Sequence, residues 1–336
     1  MGAFPIVDQG KEVIGGYSNN EKCLCKVNGP VIIFGDHTKV LKFIDFDFCL
    51  GADGTKVLKV IDGIDAKYIF YALQRVRIPN AGYSRHFRFL KEAKLPLPPL
   101  PEQKRIAAIL DQATELVRLM QDALVKLDVL GRAIFHSTFG DPFTNHMSFC
   151  KQRILDFGDV TTGNTPSRKE PKYYGNDIEW VNSNNLNDSD PFVGEASEYL
   201  STVGASKARI APKNSVLVTC IAGSRESIGN VAMTDRDVAF NQQINSLSLP
   251  SEHMCIFIYG QLRFHKELVR AQSRGGMKGI VNKTRFSEVL LLSPPEDLIK
   301  DYANKWAHLH QMRKNTEQSL NKSKALRASL INQCFT

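Results

Sequence analysis

The chain has 336 residues, 43% hydrophobic and 23% charged, with a formal net charge of +8. That balance excludes disordered and fibrous classes and allows two domains, each with its own core. No apolar run approaches the ~20 residues that span a bilayer, and the start lacks a basic-then-apolar secretory pattern, so a cytoplasmic protein is expected.

Residues 1–95 read as a mixed α/β unit. Strands are expected at Val31–Phe34, Val40–Ile44 and Thr55–Val60, separated by Gly- and Asp-bearing turns, with a helix over Ala66–Leu73. The prolines from Pro96 to Pro101 cannot form a helix interior and predict a stiff spacer.

From Glu102 to Phe139 apolar or small residues recur every three or four positions: Ile106, Leu110, Ala113, Val117, Met120, Leu124, Leu127, Gly131 and Ile134. This is a coiled-coil seam, on a helix about 55 Å long at 1.5 Å per residue. Gly140-Asp141-Pro142 ends it. A second globular unit follows, opening on a helix-like Ile154–Val160 and a Gly163-Asn164-Thr165-Pro166 turn. Its strands are expected at Ile178–Val181, Ser215–Thr219 and Ile244–Leu249. The last helix, Pro295 to Phe335, has a weaker seam: Tyr302, Trp306, Leu309, Leu320 and Leu330 fit, while Arg313, Thr316 and Ser323 do not. Each long helix exposes an apolar stripe that needs covering, so the two are expected to pair antiparallel.

The chain repeats itself once. An offset of 196 residues (294 − 98) pairs Pro98 with Pro294, Pro99 with Pro295, Lys104 with Lys300, Ala107 with Ala303, Leu124 with Leu320 and Phe139 with Phe335. A globular segment plus helix, used twice, is a geometry for reading two sites. Charge is unevenly spread: residues 201–290 hold twelve Lys/Arg against six Asp/Glu, and 151–200 five against nine. A basic surface beside an acidic one suits a polyanion, or is simply a solvated face. The seven cysteines are odd in number and scattered, and Cys23-x-Cys25 without a second pair is a poor zinc site; reduced, mostly packed thiols are expected.

The pattern resembles the specificity (S) subunit of Type I restriction–modification systems. The resemblance rests on Leu97–Ile106 leading into the central helix, Gly163–Arg168, Tyr173–Val181, Pro212–Thr219, Ile228–Ala232 and Ala239–Ile244, in the family's order. Gly29–Thr38 looks like the matching stretch of another recognition-domain type. The resemblance implies an α/β fold with two mixed α/β target recognition domains, separated by two long antiparallel helices forming a coiled coil. The implied domains are 1–95 (first target recognition domain), 96–140 (central conserved region), 141–292 (second target recognition domain) and 293–336 (C-terminal conserved region). The opening helix and turn of the second domain have no counterpart before residue 1, so the first is expected to be N-terminally incomplete.

Such a subunit recognises a bipartite sequence in double-stranded DNA. It docks two methyltransferase (modification) subunits and, through them, restriction/translocase subunits. It catalyses nothing, needs no cofactor or metal and has no membrane role. A duplex reader needs cations for phosphates and paired donors and acceptors for base edges. The candidates are Thr165, Ser167, Arg168, Lys169, Asn182, Asn184, Asn185, Arg225 and Lys278 in the second domain. In the first they are His37, Thr38, Lys39, Arg85, His86 and Arg88. Asn241-Gln242-Gln243 reads better as buried and hydrogen-bonded within the fold. The coiled coil and partner docking fall to Ile106, Leu110, Val117, Met120, Leu124, Leu127, Ile134, Tyr302, Trp306, Leu309, Leu320 and Leu330.

Rival readings are thinner. Phosphate-loop, Gly-x-Gly-x-x-Gly and Asn/Asp-Pro-Pro-Tyr signatures are missing from the sequence, and Asp141-Pro142-Phe143 merely terminates a helix. Glu92-Ala93-Lys94 with Asp65 has the form of a metal-dependent nuclease, a tripeptide common by chance; Ser319-x-x-Lys322 lies in the last helix. A scaffold without a DNA role, or a shortened S subunit that self-associates as a dimer, is the other alternative.

Overall fold

The computed structural model describes residues 2–79, 85–186, 190–273 and 279–335. The chain divides into two units, Met1–Leu124 with Asn315–Thr336, and Val125–Lys314.

The first unit begins with seven short strands: β1 (Phe4–Val7), β2 (Gly16–Ser18), β3 (Leu24–Cys25), β4 (Val31–Gly35), β5 (Leu41–Ile44), β6 (Phe48–Leu50) and β7 (Thr55–Lys59). They form two sheets, ordered β2-β1-β6-β3 and β5-β4-β7. The β1–β6 pair is parallel and the others antiparallel. The apolar run of β4 is buried at every position because it is the middle strand of its sheet. Helix α1 (Ala66–Gln74) starts where the Asp65 carboxylate accepts the Tyr68 N–H at 2.8 Å. It buries Leu73 among Ile32, Phe34 and Leu90, and Tyr68, Tyr71 and Ala72 among Ile106, Leu110 and Phe335. A short α2 (Phe87–Lys91) follows.

The long α3 (Leu100–Phe139) starts at the proline spacer. Buried Gln103 fixes that start: its amide donates to the Pro98 carbonyl (2.7 Å) and its side-chain oxygen accepts the Asp65 N–H (2.9 Å). One expectation fails here. Cys23 and Cys49 form a disulfide, with Cα atoms 5.0 Å apart. Strand β3 pairs with β6 in a register that sets Leu24 opposite Cys49, which brings together cysteines 26 positions apart in sequence. The other five cysteines are free; Cys220 and Cys255 are buried, which pushes each thiol up to about 12 and leaves it inert.

The second unit contains β8 (Cys150–Arg153), β9 (Asp159–Thr162), β10 (Tyr174–Val181), β11 (Tyr199–Leu200), α4 (Thr202–Ala205), β12 (Ile210–Ala211), β13 (Ser215–Thr219) and β14 (Ile221–Ala222). Then come β15 (Val231–Met233), β16 (Val238–Phe240), β17 (Ile244–Ser248), α5 (Glu252–Phe264), α6 (Glu267–Arg270), β18 (Gly279–Ile280), α7 (Lys283–Ser287) and β19 (Leu290–Ser293). The two larger sheets run β15-β13-β17-β9 and β11-β10-β16-β12, the β10–β16 pair being parallel. The expected helix over 154–160 is instead a 3₁₀ turn at Ile154–Asp156 followed by β9. Gly158 breaks the segment, and Val160, Thr161 and Thr162 are β-branched and pair with β17. Helix α5, absent from the sequence reading, has eight consecutive buried residues from Cys255 to Leu262, so it shows no amphipathic period.

The last helix, α8 (Glu296–Cys334), runs antiparallel to α3 within each unit. In the first, Arg327 Nε donates to Thr114 Oγ1 at 2.9 Å, and Ile331 and Phe335 cluster with Ile106, Ala107 and Leu110. In the second, Arg313 pairs with Asp128, and a side chain at Gly131 would press on Leu309 at 3.1 Å. Glycine costs a helix interior about 1 kcal/mol relative to alanine, so close approach is the reason for it here. Arg313, Thr316 and Ser323 do face the seam. The Arg313 side chain is 12% exposed, Thr316 is half-buried, and Ser323 is buried, donating to the Ser319 carbonyl at 2.8 Å. Apolarity under-reads such a seam, because paired or back-bonded polar groups can line it.

The apolar anchor lies outside the heptad pattern. Phe135 and Phe139 are fully buried; Phe139 packs 5.1 Å from Tyr302 and 4.8 Å from Phe257, while the seam residue Ile134 is only half-buried. The repeat carries this arrangement twice: offset by 196, Phe139 becomes Phe335 and Tyr302 corresponds to Ile106, and these counterparts share the first unit's cluster, with Tyr68 5.1 Å from Phe335. No helix among the described residues is long and apolar enough to cross a membrane.

Phe139→Ala should therefore cost ~3–5 kcal/mol in urea unfolding. Tyr302→Phe should be neutral or stabilise by ~1 kcal/mol, because the buried Tyr302 hydroxyl has no hydrogen-bond partner among the described residues. A pH step is also expected. Buried His265 donates from Nδ1 to the Gln261 carbonyl at 3.0 Å, and burial, reinforced by His136 and Arg132, holds it below the usual histidine value. The unfolded chain then binds the proton more tightly. The contribution is complete above the unfolded pKa of about 6.5 and is lost as pH falls from there through the lower folded value. Melting temperature should drop as pH falls below about 6.5, and His265→Asn should flatten that step.

Candidate nucleic-acid interface

In the second unit three segments meet at one polar surface. Gly163 lies so close to the Phe240 and Asn241 carbonyls that no side chain fits there. Asn164 ties the loop down: its N–H donates to the Phe240 carbonyl (3.0 Å), its amide to the Lys207 carbonyl (2.8 Å), and its side-chain oxygen accepts the Arg209 N–H (2.7 Å). Its own carbonyl accepts the Trp180 indole N–H at 3.2 Å. Thr165 Oγ1 then donates to Gln242 Oε1 at 2.5 Å.

Asn241 is buried and donates to Gln243 Oε1 (2.9 Å), which also accepts Ser183 Oγ (3.1 Å). The expectation of a buried, hydrogen-bonded residue therefore holds for Asn241, while Gln243 is hydrogen-bonded but half-buried. Gln242, between them, is exposed beside Thr165 and joins the candidate surface. Sequence reasoning missed it; the signal was an amide between two others in a tight turn.

The candidates on this surface differ in what they can offer. Asn182 and Asn185 build their own turn: the Asn182 N–H donates to Asn185 Oδ1 (2.9 Å), Asn182 Oδ1 accepts the Asn184 N–H (2.9 Å), and the Asn185 amide donates to the Glu195 carbonyl (2.9 Å). Asn184, at the tip, is exposed, as are Thr165, Ser167 and Lys169. Arg168 is exposed but neutralised, forming a two-pronged ion pair with Glu198 (2.9 and 3.1 Å) over the rings of Tyr174 and Trp180, 5.3 Å from each. Nearby, Arg236 pairs with Glu179 and Asp235, and the Glu179 carboxyl lies below its usual range chiefly because Arg236 donates to it. Arg225 sits on an exposed 3₁₀ turn just past β14. Lys278 falls outside the described residues.

In the first unit Asp36, at the end of β4, organises the candidates. Its carbonyl accepts the His86 N–H (2.9 Å) and lies 2.9 Å from His86 Nδ1, and its carboxylate accepts the Phe87 N–H (2.7 Å). His86 is 1% exposed and thus a structural staple, with no surface to present. That staple sets Arg85, Arg88 and Lys91 beside Lys56 of β7 around a hollow of about 380 Å³ floored by Asp36 and Phe87. Lys56 and Lys91 escaped the sequence reading, because only the β4–β7 pairing brings position 56 near 85–91. Thr38 donates to the Gln9 carbonyl (2.5 Å), Lys39 Nζ to the Pro79 carbonyl (3.1 Å), and the His37 N–H to Gln9 Oε1 (3.3 Å). Local architecture uses these three.

The nuclease reading loses its metal partner, since the Asp65 carboxylate caps α1. Among the described residues no group of three or more His, Cys, Asp or Glu side chains converges.

Two α/β units, each seated on a pair of antiparallel helices, define a class of modular α/β proteins built on paired long helices. The chain belongs to the Type I restriction modification DNA specificity domain family, whose model matches residues 3–128 and 149–298. It is 30% identical over 157 residues to the HindI specificity subunit of Haemophilus influenzae, covering 45% of this chain and 33% of that relative. It is 23% identical over 309 residues to the EcoR124I/EcoR124II specificity subunit of Escherichia coli, covering 84% and 74%. The fold is similar to that of the Type I S subunit from M. genitalium, with a TM-score of 0.61 at 13% identity over 100% of this chain and 89% of that one. A chain from a structure of type I R-M complex assembly gives 0.59 at 13% identity, covering 99% and 91%.

Asn164→Ala should lower the stability of the second unit by ~1–2 kcal/mol, since it removes the two side-chain hydrogen bonds that tie the turn to the exposed Lys207 carbonyl and Arg209 N–H. Lys169→Ala should fall within about 0.5 kcal/mol of the parent. Thermal unfolding of the two variants checks the contrast.

Proposed function

We propose that the chain is the DNA sequence-recognition subunit of a Type I restriction–modification complex, acting in the cytoplasm without chemistry of its own. Regions 1–95 and 141–292 serve as target recognition domains, each reading one half of a bipartite duplex target. Regions 96–140 and 293–336 supply the helices that set the half-site spacing. The observation that carries this reading is the duplicated helix end: Phe139 with Tyr302 in one unit, Phe335 with Ile106 in the other. One chain thus carries two recognition units, each seated the same way on its helices.

The seam residues Ile106, Leu110, Tyr302 and Leu320 are buried, and Val117, Met120, Leu124, Leu127, Ile134, Trp306, Leu309 and Leu330 are half-buried. An outside partner would instead meet Leu119, Val125, Val129, Leu130, Met312 and Leu326, each more than two-fifths exposed. This supports docking of two methyltransferase subunits, to which restriction/translocase subunits attach. In the second unit base-edge contacts fall to Thr165, Gln242, Asn184 and Lys169, with Ser167 beside them, and Arg225 is a further exposed cation of the same unit.

Mapping methylated bases in source-cell DNA with and without the gene tests the reading. The expected result is a split, asymmetric motif with a fixed gap that vanishes on deletion. Replacing 141–292 by the equivalent region of another family member should change one half of the motif and keep the other. An unchanged methylation pattern in the deletion strain would refute the assignment.

A further inference from the structure

The hollow in the first unit has a lining of unusual composition. Lys56, Arg85, Arg88 and Lys91 line it, and none of them has an ion-pair partner among the described residues. The one carboxylate there, Asp36, is 2% exposed and already accepts the Phe87 N–H. By contrast, Arg153, Arg168, Arg236 and Arg270 in the second unit each hold a carboxylate within 3.1 Å. Four like charges around one concavity repel each other and raise the local anion concentration. They are also positioned in advance. Arg88 lies over the Phe89 ring at 4.7 Å and Lys91 over the Phe87 ring at 5.2 Å, which limits the side-chain freedom lost on binding.

We infer that this hollow clamps a backbone phosphodiester of duplex DNA, so that the first unit anchors the chain independently of sequence at Lys56, Arg85, Arg88 and Lys91. The inference rests on the DNA-reading assignment above and adds a division of roles. A cluster of cations whose described lining holds no exposed carboxylate matches phosphate oxygens, and base edges call for mixed donors and acceptors. The paired arginines of the second unit contribute less to salt-dependent affinity, because their counter-charge is already built into the protein.

The test measures binding of the full chain to two duplexes, one with the mapped target and one of mixed sequence, across a salt series. Arg85→Gln/Arg88→Gln is compared with Lys22→Gln/Lys26→Gln, an equal loss of charge at exposed lysines elsewhere in the same unit. The hollow variant should bind both duplexes roughly ten-fold more weakly, and its slope of log K against log salt should shrink by about one to two. The control pair should stay within roughly two-fold of wild type at an almost unchanged slope, and Arg88→Lys should keep most of the affinity. Equal losses in both double variants would assign the effect to the general field of the unit. A changed ratio between target and mixed duplex would make these residues base readers, and no change would remove them from the interface. Each of these three overturns the clamp while leaving the DNA-reading assignment standing. A wild-type chain that binds neither duplex defeats both.

Discussion

The packing of each long helix's last phenylalanine against the opening turns of the other helix is the constraint from which the architecture follows. Phe139 is buried against Tyr302 and Phe257, and Phe335 against Tyr68 beside Ile106. Neither helix could hold its length on its own: α3 carries exposed apolar residues and α8 is largely polar along its middle. Most helical stability in proteins comes from packing and not from propensity. Here that packing sits inside the α/β units, so each unit completes its core with residues from both helices, contributed by distant parts of the chain.

Between these ends the helices meet through mixed chemistry. Arg313 with Asp128, Arg327 with Thr114 and Gln74, and back-bonded Ser323 are interspersed with small and apolar residues. Such a seam adds little stability. Its effect is register, since sliding one helix by a turn would strand a cation against apolar neighbours. A fixed register suits a molecule whose proposed task depends on distance between half-sites.

The two units handle surface charge in different ways. The second pairs its prominent arginines with glutamates and aspartates and leaves short uncharged donors and acceptors (Thr165, Gln242, Asn184) at the junction of three turns. The first gathers cations that hold no ion-pair partner among the described residues around a carboxylate already occupied by a backbone N–H. Each unit has one mixed sheet, yet strand order and loop anchoring differ, so the repeat in the sequence is one of helix ends more than of loop surfaces.

Features written in consecutive residues were legible without the structure. The proline junctions, the extents of α3 and α8, and β4, β7, β13 and β17 depend on local backbone limits and on apolar period, and they stand within a residue or two of expectation. The family followed from the order of such segments. Contacts between segments distant in sequence were not legible. Cys23 meets Cys49 only because β3 pairs with β6, Lys56 joins Arg85 and Arg88 only through the β4–β7 register, and α5 hides its helical period because every side of it is buried. Arg313 and Ser323 looked like breaks in an apolar seam until their partners were in place. Periodicity reports which face of an element is wet, whereas tertiary structure decides which buried or charged group finds a partner, because partnership depends on distances that no single segment contains.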